Sequence, residues 1–110
     1  ELVQELAESG VPLFAITNFG SEFWDMFRPT QPVFNRFQDI IVSGAEKLVK
    51  PDPAIYALAL DRFGLKPGEA IFIDDNHDNV VSARNNGFAA HHFIDAASLR
   101  AELVALNLLP

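Results

Sequence analysis

Two neighbouring aspartates, Asp74 and Asp75, directly follow a run of apolar residues in the stretch IFIDDNHDN, which spans residues 71–79. Like charges on adjacent residues repel one another, and a buried carboxylate without a partner is costly. A positive group is therefore expected beside them. Mg²⁺ is one candidate, since it usually takes one or two protein carboxylates. A helix cap is the alternative, because Asp also favours helix starts.

Two further polar positions suit the same chemistry. Thr17 and Asn18 end another short apolar run, and Lys50 stands just before Pro51. A hydroxyl with adjacent backbone amides suits a phosphate oxygen, and a Lys supplies fixed positive charge where negative charge develops. Taken singly, each has a structural explanation, as an ordinary strand end or as a solvated loop residue. Their combination in this order indicates phosphoryl transfer.

The apolar pattern predicts strands that alternate with helices. Strands are expected at 13–17, 39–43, 70–74 and 88–93. Helices are expected before Gly10, at 22–27, 54–63 and 79–86, and after Asp95, with Ser21, Asp52 and Asp95 as N-caps. Short apolar strands alternating with helices are typical of a three-layer α/β fold, in which a parallel sheet carries helices on both faces. A single domain over 1–110 is expected.

This fold predicts where the polar residues meet. Ligands of parallel α/β sheets bind beyond the carboxyl ends of the strands. Thr17 and Asn18 end the first strand, Lys50 lies in the loop after the second, and the two aspartates end the third. The sheet should therefore bring a hydroxyl, an ammonium group and a carboxylate pair to one edge. This set of side chains suits the binding of Mg²⁺ and a small phosphorylated molecule, but it includes no group that would attack phosphorus.

Composition narrows the classes of partner. The 110 residues are 49% hydrophobic and carry a net charge of −7, which argues against a surface for nucleic acid or an anionic membrane. No apolar run reaches the roughly 20 residues that span a bilayer. The chain has no Cys, so no disulfide is expected. A cytoplasmic location is the default expectation.

Three stretches together resemble a known family. LFAITNFGS, KLVKPDPAIY and AIFIDDNHDNVVSARNNG are similar to the second, third and fourth motifs of the haloacid dehalogenase-like hydrolases. The resemblance implies that Thr17 and the Asn18 amide bind the phosphoryl group, and that Lys50 holds the nucleophile and phosphoryl oxygens. It also implies that Asp75 is a direct Mg²⁺ ligand supported by Asp74. Asn79 stands where many members have a further acid, and its amide could bind a metal-bound water.

The first motif of this family has no counterpart in the sequence. That motif is a central strand ending in Asp-x-Asp, whose first Asp forms an aspartyl-phosphate, and the 110 residues contain no Asp-x-Asp. We therefore expect a Rossmann-like sheet lacking its central first strand and the cap, from a Mg²⁺-dependent phosphatase. An N-terminal segment would complete the sheet, and these residues alone would be inactive. A 2-haloacid dehalogenase and a non-catalytic binding scaffold are the alternatives.

Overall fold

Strands and helices alternate along the chain. The computed structural model describes residues 2–18, 20–46, 49–50 and 52–110. The strands are β1 (Phe14–Thr17), β2 (Asp39–Val42), β3 (Ile71–Asp74) and β4 (Ala89–His92). The α-helices are α1 (Leu2–Glu8), α2 (Ser21–Phe27), α3 (Ser43–Glu46), α4 (Pro53–Phe63), α5 (His77–Asn85) and α6 (Ala96–Ala105). Within the described ranges, none of these helices is long and apolar enough to cross a membrane.

The four strands form two parallel pairs. In the first pair, β1 runs beside β2 with Thr17 opposite Val42. In the second pair, β3 runs beside β4 with Asp74 opposite His92. Among the described residues, no ladder joins the two pairs. This arrangement agrees with the expected parallel sheet that lacks its central first strand.

One apolar core lies across both strand pairs. It contains Ile41 of β2 and Phe72 of β3, and it is covered by α4 and α5 through Ile55, Tyr56 and other buried side chains. Successive side chains of a strand point to opposite faces of the sheet. The two pairs therefore share one layer of helices, although no strand ladder joins them in the part of the chain that the structure describes.

A second apolar cluster lies on the opposite face of β3. Ile73, the residue after Phe72, packs with Leu6 of α1 and with Leu99 and Leu103 of α6. Helices thus cover both faces of the strands. The predicted three-layer α/β architecture is confirmed.

The caps of the longer helices follow local sequence signals. The Asp52 carboxylate accepts a hydrogen bond from the amide of Ala54 at 3.0 Å, and the Asp95 carboxylate accepts one from the amide of Ser98 at 2.7 Å. Gly64 ends α4 with a φ of 69°, in the left-handed region that favours glycine. The predicted caps Asp52 and Asp95 and the predicted end of α4 at Phe63 are confirmed.

Two helix starts differ from the prediction. Ser21 is the first residue of α2 and not its cap, because Gly20 occupies the N-cap position without a side-chain hydrogen bond. Helix α5 begins at His77, two residues before the predicted start at Asn79. The reason is that Asn76 is its N-cap and accepts a hydrogen bond from the amide of Asn79 at 3.1 Å. The two aspartates before it therefore do not cap this helix.

The predicted loops contain more helical structure than expected. No helix or strand was predicted for residues 28–38, and this stretch holds two 3₁₀ helices, Arg28–Thr30 and Pro32–Arg36. Helix α3 occupies the beginning of the loop predicted after β2. Aromatic packing accounts for the first difference, because Phe34 lies edge-on to Trp24 with ring centroids 4.9 Å apart.

Candidate active site

The candidate site lies at the carboxyl ends of β1 and β3. Thr17 is the last residue of β1 and Asp74 is the last residue of β3. Asn18 and Asp75 follow them directly, and Lys50 lies in the segment that leads into α4. The parallel strands therefore place these residues at one end of the fold, as the sequence predicts.

Asn18 binds the main chain of Lys50. Its Oδ1 atom accepts a hydrogen bond from the Lys50 amide at 3.0 Å, and its Nδ2 group donates to the Lys50 carbonyl at 3.2 Å. The two bonds fasten the segment before α4 to the end of β1. The sequence predicted a role only for the Asn18 backbone amide, so the contribution of its side chain was missed.

Lys50 and Asp74 form an ion pair beneath the surface. The Lys50 Nζ atom lies 2.8 Å from Asp74 Oδ2, and the two side chains are 13% and 9% exposed. The same Oδ2 atom accepts a hydrogen bond from Asn79 Nδ2 at 3.0 Å, and Oδ1 accepts one from the amide of Asn76 at 2.9 Å. Both oxygens of Asp74 are thus engaged within the protein.

These contacts determine the charge of Asp74. Burial raises the pKa of its carboxyl group, but hydrogen bonds from Lys50 and Asn76 together with the Lys50 charge lower it by more. The net effect is a pKa below the usual value, so Asp74 is ionised at neutral pH. The positive group expected beside the two aspartates is therefore at least in part Lys50.

Asp75 differs sharply from its neighbour. Its side chain is exposed, and no described side chain or amide donates a hydrogen bond to its carboxylate. An exposed carboxylate beside an ionised, fully engaged one fits Mg²⁺, which is held by one or two carboxylates and completes its shell with water and phosphate oxygens. Within the described ranges, however, no three His, Cys, Asp or Glu side chains cluster as a complete metal site.

Thr17 and Asn79 complete the set. The Thr17 Oγ1 atom is buried and has no hydrogen-bond partner among the described residues. Buried hydroxyls are normally paired, so this one suits a ligand oxygen. Asn79 is only 7% exposed, and its Nδ2 group is used on Asp74. Its backbone carbonyl accepts a hydrogen bond from the Tyr56 hydroxyl at 3.0 Å, which ties α4 to α5.

A cleft of about 410 Å³ opens beside the ion pair. Its polar lining comes from Lys50, Asp74 and Asp75, and its apolar lining comes from Ile73, Phe93 and Leu99. This surface is open to solvent beside the charged side chains of Lys50, Asp74 and Asp75.

Comparison with known proteins identifies the family and the fold of the chain. A model of the haloacid dehalogenase-like hydrolase family matches residues 1–87. The chain belongs to this family. Among curated relatives, a sesquiterpene phosphatase from Aspergillus oryzae is 29% identical over 102 residues, which are 93% of this chain and 52% of that protein. The pyrophosphatase PpaX of Bacillus velezensis is 31% identical over 79% of this chain and 40% of its own length.

Solved structures support the same fold. A haloacid dehalogenase family enzyme from Bacteroides thetaiotaomicron, in complex with magnesium and inorganic phosphate, superposes with a TM-score of 0.76. It is 22% identical, and the match covers 89% of this chain and 55% of that one. The chain spans about half or less of the length of these curated relatives. The predicted family and Rossmann-like fold are confirmed.

Proposed function

We propose that this chain is the part of a Mg²⁺-dependent phosphatase that binds the metal ion and the phosphoryl group of a small phosphorylated metabolite. The observation that carries the proposal is the Lys50–Asp74 ion pair, which lies next to an exposed Asp75 carboxylate. The phosphatases among the relatives support this class of chemistry. The relative solved with magnesium and phosphate supports the choice of metal.

Each residue has a role in this proposal. Thr17 Oγ1 and the Asn18 amide donate hydrogen bonds to phosphoryl oxygens. Lys50, held by Asp74, stabilises the negative charge that develops during transfer. Asp75 holds Mg²⁺, and Asn79 supports the site through Asp74. When bound, the metal would neutralise phosphoryl charge and help to orient the group.

The nucleophile must come from outside these 110 residues. The two strand pairs share a core, but among the described residues no ladder joins them, so a strand placed between β1 and β3 could pair with both. Such a strand would end at the same edge as Thr17 and Asp74. An Asp at its end would attack phosphorus and displace the alcohol of the substrate, forming an aspartyl-phosphate, and water would then release inorganic phosphate and regenerate the Asp. Without that strand, the 110 residues should be inactive.

The decisive experiment compares two carboxylates in the intact natural protein. Asp75→Asn removes the proposed metal ligand, whereas Asp78→Asn neutralises an exposed carboxylate on the first turn of α5. Hydrolysis of a panel of small phosphate monoesters is measured across Mg²⁺ concentrations, with urea unfolding as the stability control. We expect Asp75→Asn to lose Mg²⁺-dependent turnover at unchanged stability, and Asp78→Asn to retain it.

Other outcomes identify the alternatives. Metal-independent release of halide from 2-haloacids would indicate a dehalogenase. No turnover of either substrate class, with phosphate binding retained, would indicate a binding scaffold. Full Mg²⁺-dependent turnover by Asp75→Asn would overturn the metal assignment.

A further inference from the structure

His92 contacts the main chain of the proposed metal ligand. It is the last residue of β4 and lies opposite Asp74 in the parallel register. Its Nε2 atom is 2.9 Å from the backbone carbonyl oxygen of Asp75. A carbonyl oxygen can only accept a hydrogen bond, so this contact requires a proton on Nε2 of the imidazole.

This hydrogen bond continues the attachment of β3 to β4 beyond the strands. At the end of the β3–β4 ladder, the amide of Phe93 donates a backbone hydrogen bond to the carbonyl of Asp74 at 2.8 Å. His92 then holds the next carbonyl, that of Asp75. Since the Asp75 side chain is exposed, its direction depends on how firmly its backbone is held.

Neighbouring imidazoles do not make the same contact. The His91 ring binds Glu102, with 3.0 Å between Nδ1 and Oε1, and lies on the opposite face of β4. The His77 ring is exposed, and its centroid is 5.6 Å from that of His92. Within the described part of the chain, His92 supplies the side-chain hydrogen bond to the Asp75 backbone.

We infer that His92 is a positioning residue that orients the Asp75 carboxylate for Mg²⁺. The inference rests on the proposed function and deepens it. Groups that orient metal ligands without touching the metal typically contribute about 10- to 100-fold to metal affinity. A single bond to a backbone carbonyl belongs at the lower end, about tenfold. His92 should therefore affect the binding of Mg²⁺ more than the chemistry at saturating metal.

The test uses three substitutions in the intact natural protein. His92→Leu removes the donor. His92→Gln retains a donor, since its Nε2 is the same number of bonds from Cα as the histidine Nε2. His91→Gln is the matched control, because it removes an imidazole from the adjacent position of the same strand. Mg²⁺ affinity is measured by titration calorimetry, and the activation constant for Mg²⁺ is measured separately from kcat.

We expect His92→Leu to weaken Mg²⁺ binding about tenfold, with kcat at saturating Mg²⁺ and KM for the phosphorylated substrate within about twofold. His92→Gln should restore most of the affinity, and His91→Gln should leave it unchanged. Equal affinity in His92→Leu and the wild type would overturn the inference. Equal weakening in all three variants would also overturn it, because it would indicate a general effect of β4 stability.

A reference variant separates this inference from the proposed function. If Asp75→Asn binds Mg²⁺ as tightly as the wild type, or if the wild type binds none, the proposed metal site is wrong and the role of His92 falls with it. If Asp75→Asn loses binding and His92→Leu does not, only the positioning role is refuted.

Discussion

Replacement of Lys50 by Met should reveal how strongly the site depends on its buried ion pair. Met retains an apolar chain of similar length but removes the ammonium group that lies 2.8 Å from Asp74. Loss of one partner of a buried pair typically costs about 3–5 kcal/mol. Asp74 keeps its hydrogen bonds from Asn79 and from the Asn76 amide, so we expect a smaller loss of about 2–3 kcal/mol.

The loss should depend on pH with a defined sign. In the wild type the pKa of Asp74 is lowered, so its contribution to stability is present above the unfolded pKa of about 3.9 and is lost as pH falls through the folded value. Without Lys50, burial remains and the pKa of Asp74 rises. The deficit of the Lys50→Met variant should therefore be largest at neutral pH, and it should become small only when pH falls below about 3.9, through the lowered pKa of folded Asp74.

A double variant provides the internal control. Asp74→Asn added to Lys50→Met leaves no buried charge, so it should recover about half of the lost stability, and the deficit should no longer depend on pH. Phosphatase activity should not recover. The measurement is urea unfolding of the intact natural protein, followed by far-UV circular dichroism at neutral and acidic pH. A deficit below about 1 kcal/mol, or one that does not change with pH, would refute the argument that this pair is electrostatically important.

Two further substitutions test the supporting structure. Burial raises the pKa of Tyr56 to about 12, so stability should fall as pH rises from about 10 to 12, by roughly 2–3 kcal/mol, because the folded state retains the proton longer. Tyr56→Phe should remove this part of the alkaline slope in urea unfolding, and an unchanged slope would contradict the assignment. Gly87→Ala should cost about 1–3 kcal/mol, because φ is +98° and a Cβ atom would lie 2.9 Å from a methyl carbon of Leu60. Gly20→Ala is the control, since its added Cβ has no heavy atom within 4 Å, and equal thermal shifts for the two would refute the strain argument.

The two adjacent aspartates have different roles in the proposed chemistry. Asp75 is exposed and available to a metal, whereas both carboxylate oxygens of Asp74 accept hydrogen bonds from Lys50, Asn79 and the Asn76 amide. The doubled aspartate is thus two different groups. One orients the positive charge of the site, and the other is the proposed metal ligand.

Local patterns in the sequence determined the order of the elements. Apolar runs indicated four strands within one residue of their observed ends, and Asp52 and Asp95 cap the helices that they were predicted to cap. The alternation of strand and helix then predicted parallel pairing, with Thr17 and Asp74 at one edge. These features depend on residues a few positions apart, where periodicity and capping act directly.

Only the tertiary structure decided which side chains meet at that edge. Asn18 bonds to Lys50 across 32 residues, Lys50 to Asp74 across 24, and His92 to Asp75 across 17. Local sequence patterns do not specify such distant pairs, because they depend on how the strand pairs and helices pack around a common core. The start of α5 is a local feature that the sequence did not settle. Asn76 is the N-cap, although the aspartates before it are equally suitable capping residues. The sequence by itself thus determined the fold and the edge where the site lies, and packing decided that Asp74 is paired while Asp75 is exposed.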